Sequence, residues 1–180
     1  MQFRRLGMVL VALIVVTASL AGCMAGGVAD WPDREITTDL DTALAAQDMA
    51  MAGAMLGSAT LSEAEFSSLL TYLMKQNVGS AVPVEEVKTW FEPDNKVYIE
   101  LVPSAGAPLA GTVRLSGVLS VVDNAVQVDL GEAAIGDVAV SGALLDVVGA
   151  AINRALNDPS LGVAVDVATD SGSVTLGLAM

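Results

Sequence analysis

Residues 109–122 read Leu-Ala-Gly-Thr-Val-Arg-Leu-Ser-Gly-Val-Leu-Ser-Val-Val, and this stretch decides the expected fold. Apolar residues and two glycines occupy every second position: Leu109, Gly111, Val113, Leu115, Gly117, Leu119 and Val121. A period of two predicts a strand with one buried face. Glycines on that face permit strong bending and the close approach of another element. The stretch therefore predicts a long, curved strand.

Shorter alternating stretches on both sides of it predict further strands. They cover residues 84–91, 97–101, 126–130, 163–167 and 174–178. Asp94-Asn95 and Asp123-Asn124 are turn dipeptides, and their spacing does not match a calcium-binding loop. The alternation breaks over 131–136, which predicts a bulge or a bend in the chain.

Two amphipathic helices complete the expected domain. Ser62 and Glu65 form a capping box, and the apolar spacing after Phe66 predicts a helix over 63–76. A second broad apolar face predicts a helix over 144–156, which ends before Pro159. The expected fold is therefore of the α+β class: a long curved antiparallel sheet packed on two amphipathic helices, in one domain over 57–180.

A further, Ala- and Met-rich helix is expected over 37–56, with Thr38 as a candidate cap. Four of its large apolar residues fall near one helical face: Leu40, Leu44, Met51 and Met55. Two interpretations stay open, since such methionines form an adaptable lipid-contacting surface in some proteins and fill a core in others. Gly53 and Gly57 weaken the helical pattern.

The amino terminus has the layout of a secretory signal over residues 1–22. Arg4 and Arg5 precede an uncharged apolar run, 6–20, which is shorter than the ~20 residues that span a membrane. The run ends at Leu20-Ala21-Gly22-Cys23, which resembles a bacterial lipobox. The resemblance implies a diacylglycerol on Cys23 and cleavage before it, and residues 23–36 would then form a tether. The alternative is an uncleaved anchor with a chance cysteine.

Position 24 bears on where such a lipoprotein would reside. In diderm bacteria an Asp after the lipidated cysteine often retains a lipoprotein at the inner membrane, and here the residue is Met24. We expect an exported, membrane-anchored protein. It would lie at the outer membrane if the cell has one, and otherwise at the outer face of the cell membrane.

Composition excludes several function classes. The chain has 21 acidic and 8 basic residues, a net charge of −13, and nucleic-acid binding needs a basic surface. There is no histidine, which excludes His-dependent nucleophilic catalysis and His-ligated metals. Neighbouring carboxylates such as Glu63 and Glu65 suit a helix start. We expect no enzyme activity, no cofactor and no metal site.

Five segments in order carry a family resemblance: 61–66, 109–117, 126–130, 135–141 and 150–156. Together they resemble the YpmS-like family of membrane-tethered extracytoplasmic bacterial proteins, which is similar to small tubular lipid-binding (TULIP-like) domains. The resemblance covers roughly 57–180 and implies an apolar trough between helix and sheet that holds a lipid. The residues expected to line this trough are Phe66, Leu70, Leu73, Val113, Leu115 and Leu119.

The alternatives to a lipid trough stay open at this point. The same apolar residues can close on each other as an ordinary core. The chain can also be a structural or assembly lipoprotein that binds another envelope protein, with 174–180 as an exposed edge strand. An enclosed apolar cavity would favour the first function, and an exposed apolar patch the second.

We predict that Cys23→Ser abolishes the incorporation of labelled fatty acid into the protein in a bacterial host. Cys23 is the only cysteine of the chain, so no other thiol can accept the diacylglycerol. Gel fluorography measures the label, and continued labelling of the variant would contradict the lipoprotein interpretation.

Overall fold

The computed structural model describes residues 28, 30–77, 83–107, 111–136, 138–140, 142–158, 161 and 163–179, and for 143, 144 and 179 the backbone alone. Four predicted features lie outside the described residues: the signal over 1–22, the lipidation site Cys23, the start of the long strand at 109–110, and the helix stop Pro159.

Three helices and eight strands make up the described residues. The helices are α1 (Leu40–Leu56), α2 (Glu63–Asn77) and α3 (Ala143–Leu156). The strands are β1 (Ser58–Ser62), β2 (Val84–Glu92), β3 (Lys96–Pro103), β4 (Val113–Val122), β5 (Ala125–Ile135), β6 (Val138–Val140), β7 (Val163–Asp170) and β8 (Ser173–Ala179). The predicted α+β class is confirmed, and a helix occurs in each of the three predicted segments. The strands form two antiparallel sheets rather than the one long sheet that was expected.

The larger sheet has the order β2-β3-β4-β5-β6, with antiparallel neighbours throughout. Its central strand, β4, is the strand predicted from 109–122, but it begins at Val113, and Gly111 lies before it with φ +112°. The register shifts between Ser116 and Gly117, where β5 contributes an extra residue. A Cβ on Gly117 would collide with the backbone carbonyl of Asp129, so the strands approach closely at the bulge because residue 117 is glycine.

The smaller sheet has the order β1-β8-β7. Strand β1 was not predicted, and its pairing, Ser58 with Gly177 through Ser62 with Ser173, joins distant parts of the chain. Strand β8 therefore lies between two partners, and the prediction that 174–180 forms an exposed edge is wrong for its described part.

The hairpin turns of the larger sheet meet strand β7 of the smaller sheet. Asp94, Asn95, Asp123 and Asn124 all have φ between 52° and 64°, the left-handed conformation that tight hairpin turns use. Asp123-Asn124 form a two-residue turn, and Asp94-Asn95 end the three-residue loop 93–95. The amide of Thr169 donates to Asn95 Oδ1 at 3.1 Å, and the amide of Ala164 donates to the carbonyl of Asn124 at 3.0 Å. The turns therefore also fasten the two sheets together.

The start of α2 follows the sequence prediction closely. The Ser62 amide donates to Glu65 Oε2 at 2.8 Å, and the Glu65 amide donates to Ser62 Oγ at 3.3 Å, which is the predicted capping box. Its apolar face is buried: Phe66, Leu69, Leu70, Leu73 and Met74.

A polar face of α2 hydrogen-bonds to the outer edge of β2. Thr71 Oγ1 accepts from the Val87 amide at 2.9 Å, and Ser67 Oγ accepts from the Thr89 amide at 2.8 Å. Glu63 Oε1 accepts from the amide of Phe91, which lies two residues beyond Thr89 on β2, at 2.9 Å. Side chains of a helix thus take the place of a neighbouring strand along this edge.

Helix α3 is fixed to strand β5 through one amide side chain. Asn153 Oδ1 accepts from the Val128 amide at 2.8 Å, and Asn153 Nδ2 donates to the Val128 carbonyl at 3.2 Å. The apolar face of α3 is buried beside this bond: Val148, Ala151, Ile152, Ala155 and Leu156.

Helix α1 packs through its small residues. Asp39, rather than the predicted Thr38, caps it, since the Thr42 amide donates to Asp39 Oδ1 at 2.8 Å. These hydrogen bonds, from the Thr42 amide and then from its hydroxyl, lower the pKa of Asp39. The buried residues of α1 are Ala43, Ala46, Ala50 and Gly53. A Cβ on Gly53 would lie 2.6 Å from the Ala59 Cβ, so helix and strand touch there.

Residues 30–39, here called the N-terminal strap, cover the outer face of the larger sheet. Trp31 packs edge-on against Trp90 and Tyr98, with ring centroids 5.1 and 5.5 Å apart. Trp90 Nε1 donates to the Arg34 carbonyl at 2.7 Å. The segment 23–36 was predicted to be a tether. Its residues from Trp31 to Ile36 instead pack against the domain.

We predict that Thr71→Val lowers the free energy of unfolding by about 1–3 kcal/mol, because it leaves the buried Val87 amide without an acceptor. The substitution preserves the shape of the side chain. Thr60→Val is the matched control, because Thr60 is exposed on a strand, and we expect a change within about 0.5 kcal/mol. Urea denaturation measures both, and equal losses would mean that the helix-to-edge bonds contribute nothing special.

Candidate functional site

An apolar cavity of about 350 Å³ lies between α2, the smaller sheet and the end of α3. Its apolar lining residues are Leu61, Phe66, Leu69, Leu70, Leu73, Ala125, Val126, Leu156, Leu161, Val163, Ala164, Leu176 and Leu178. Small-molecule sites commonly measure ~300–1,000 Å³, so the cavity is at the lower end of that range. The larger depressions described elsewhere on the surface are more open and are lined by charged side chains.

The cavity unites half of the residues predicted from the sequence. Phe66, Leu70 and Leu73 line it from α2. The predicted β4 residues are buried but do not line it: Val113, Leu115 and Leu119. They lie in the main core, which is the alternative that the sequence left open for them.

Most of the remaining wall comes from residues that the sequence reasoning did not assign to a site. Leu176 and Leu178 stand on the inner face of β8, and Leu61 stands on β1. The alternation of β8 marked its buried face, but nothing local showed that this face lies opposite α2. The missing information was the pairing of β8 with β1.

The mouth of the cavity is polar. The polar lining residues are Asp123 and Asn124 of the β4–β5 turn and Asn157 and Asp158 after α3. Three of them are exposed and Asp158 is half-buried, so the cavity opens on this side. Asn77 Nδ2 donates to Asp158 Oδ2 at 2.7 Å, and Asn157 Nδ2 donates to the Asn153 carbonyl at 2.6 Å. The site thus combines apolar walls with an acceptor-rich opening.

The volume of the cavity limits what it can hold. Leu70, Leu73 and Leu176 line it and each expose at most 4% of their surface. An engineered cavity of ~150 Å³ holds benzene, and the present volume is about twice as large, which is enough for a short alkyl chain.

The strongest charged cluster is structural. Arg34 donates to Glu63 at 2.7 Å and to Glu92 at 2.8 Å, which ties the strap to α2 and β2. The hydrogen bond with Glu63, followed by that with Glu92, raises the pKa of Arg34 against the opposing effect of burial. Both Glu63 oxygens accept hydrogen bonds within this cluster, which accounts for the buried carboxylate without a catalytic role.

Helix α1 presents its large apolar residues to solvent. Leu40, Leu44, Met51 and Met55 expose 57%, 42%, 47% and 76% of their surface. We call these four residues the α1 stripe. Of the two interpretations that the sequence allowed, core filler is therefore wrong for these side chains. The stripe is a second candidate interaction surface.

Two further properties concern the described residues alone. No cluster of three or more acidic or cysteine side chains in them has a geometry that could hold a metal ion. No helix among them has the length and apolar character needed to cross a membrane.

Comparison of the chain with protein-family models, with curated proteins and with solved structures gives no match. The function is therefore inferred from the site itself.

We predict that Ala46→Leu lowers the free energy of unfolding by about 1–3 kcal/mol, because Ala46 is fully buried and a larger side chain overpacks the contact. Leu44→Gln on the exposed side of the same helix should change it by no more than about 0.5 kcal/mol. Thermal unfolding followed by circular dichroism measures both. A harmless Ala46→Leu combined with a damaging Leu44→Gln would reverse the assigned orientation of α1.

Proposed function

We propose that this chain is an exported lipoprotein, anchored to a membrane through acylated Cys23, whose domain binds a lipid or another apolar ligand in the apolar cavity. The membrane would be the outer membrane if the cell has one, and otherwise the cell membrane at its outer face. The lipobox-like Leu20-Ala21-Gly22-Cys23 supports the anchor.

One observation carries the ligand proposal: an apolar space of about 350 Å³ between α2 and the smaller sheet opens at a polar mouth. Burial of each methylene contributes ~0.8 kcal/mol, so a few carbons of an alkyl chain suffice for binding from water. The mouth would leave a polar head in contact with solvent. The resemblance of residues 61–66 and 109–117 to tubular lipid-binding domains points in the same direction.

The energetics favour exchange over storage. The alkyl chain of a lipid inside a bilayer is already buried among apolar neighbours, so its transfer to the cavity gains little apolar burial. A protein held at the membrane surface would therefore take up and release a chain readily. Sensing or transfer of a lipid suits such a balance.

A second candidate function is that of a structural or assembly lipoprotein that binds another envelope protein. The α1 stripe favours it, because four large apolar side chains on one helix are costly to leave in water without a use. The stripe replaces the edge strand on which this alternative rested in the sequence.

We predict that the mature chain, residues 23–180 with Cys23→Ser, copurifies from a detergent-free bacterial host with a stoichiometric single-chain lipid. Solvent extraction and mass spectrometry would identify and quantify it. Leu73→Phe should remove most of the lipid, because the larger ring fills the cavity from α2 without adding a polar group. The thermal midpoint should fall little or rise.

The control is Val147→Phe, the same kind of enlargement on the exposed side of α3, where Val147 is 52% exposed. It should keep the lipid. A wild-type chain that is folded and free of lipid, and that also fails to bind added alkyl compounds, would contradict the ligand proposal and leave the assembly function as the better one.

A further inference from the structure

The mouth of the apolar cavity carries negative charge and no positive charge among the described residues that line it. Asp123 and Asp158 are its two carboxylates, and Asn124 and Asn157 are its two amides. An ionised carboxylate only accepts hydrogen bonds, and it repels a second anion at close range. An opening of this composition would favour heads that donate hydrogen bonds over heads that carry negative charge.

The position of Asp123 is set by its turn. Asp123 and Asn124 have φ of 52° and 64°, and the Asn124 carbonyl accepts from the Ala164 amide at 3.0 Å. The backbone of the turn is thus fastened to β7, beside the cavity wall. Asp158 lines the same cavity and accepts a hydrogen bond from Asn77 Nδ2 at 2.7 Å. A head at the mouth would therefore lie in a region that contains both carboxylates.

We propose that the apolar cavity takes a single-chain amphiphile whose head donates hydrogen bonds and bears no negative charge, with Asp123 and Asp158 as the groups that select it. The inference rests on the proposed function, since it names the ligand class of the same cavity. Long-chain amines and alcohols belong to this class. Free fatty-acid anions do not.

The net charge of −13 adds a general repulsion of anions, which has to be separated from the local effect. The chain offers a matched pair for this purpose. Asp94-Asn95 is a second Asp-Asn turn with the same left-handed conformation, and Asp94 does not line the apolar cavity. Asp123→Asn and Asp94→Asn each remove one charge from a turn residue of positive φ, and asparagine suits this conformation as well as aspartate does.

The experiment measures the dissociation constants of octylamine, octanol and octanoate for the mature chain, residues 23–180 with Cys23→Ser, after lipid removal. The three probes share one tail and differ in their heads. Calorimetry at neutral pH and about 0.15 M salt limits the contribution of distant charges. We expect octylamine to bind best and octanol next. The dissociation constant of octanoate should be at least about tenfold higher than that of octylamine, a modest effect for close charges.

The variants then locate the selectivity. Asp123→Asn should reduce the preference for octylamine over octanoate several-fold, and Asp94→Asn should leave it unchanged. Octanol, which is neutral, should bind both variants as it binds the wild type. This last result would also show that the cavity itself is intact.

The possible failures are distinguishable. If octanoate binds as tightly as octylamine, or if the two asparagine variants lose selectivity equally, the inference about the head is overturned while the cavity still binds a chain. If none of the three probes binds, or if Leu73→Phe leaves their binding unchanged, the proposed function itself fails.

Discussion

The fold depends on how helix α2 closes the edge of strand β2. Four residues of helix rise roughly 6 Å, and two residues of strand rise roughly 6.6 Å, so a helical side chain every fourth position can meet every second amide of a strand. Three such pairs occur in order: Glu63 with Phe91, Ser67 with Thr89, and Thr71 with Val87. An open edge would invite pairing with other chains, and here the helix covers it. The same bonds fix the rotation of α2, which turns Phe66 and Leu70 toward the smaller sheet.

The sequence predicted the elements whose signals are local. The capping box and the apolar period of α2, the two Asp-Asn turns and the alternation of β4 each lie within a few residues, and the structure has all of them. Strand β1 was missed because Ser58–Ser62 alternates over only five residues, directly before the capping box of α2, and because its partner β8 is distant in the sequence. The side of α1 that is buried was also missed, since close contact with Ala59 selects Gly53 and alanines over larger apolar residues.

The candidate site was half predictable for the same reason. Leu70 and Leu73 were recognisable because the apolar face of a helix has to pack on something. The strand face that lies opposite α2 depends on non-local contacts, namely the pairing of β1 with β8 and the turns that fasten β7. Leu115 lies on the inner face of the larger sheet, but it is only 1% exposed and packs in the main core. The position of the opening follows from tertiary packing, which no local pattern in the sequence shows.

The position of the strap matters for how a cavity of this kind would meet a membrane. Arg34, held by Glu63 and Glu92, fixes the strap to the domain, and six residues of sequence separate Cys23 from Asp30. At ~3.3–3.6 Å per residue, an anchor at Cys23 would keep the domain close to the bilayer. An alkyl chain that moves from a bilayer to the cavity exchanges one apolar environment for another. Any difference in free energy between the two locations then has to come from the polar head of the ligand. The charge at the mouth, rather than the apolar wall, would therefore decide which molecule leaves the membrane for this protein.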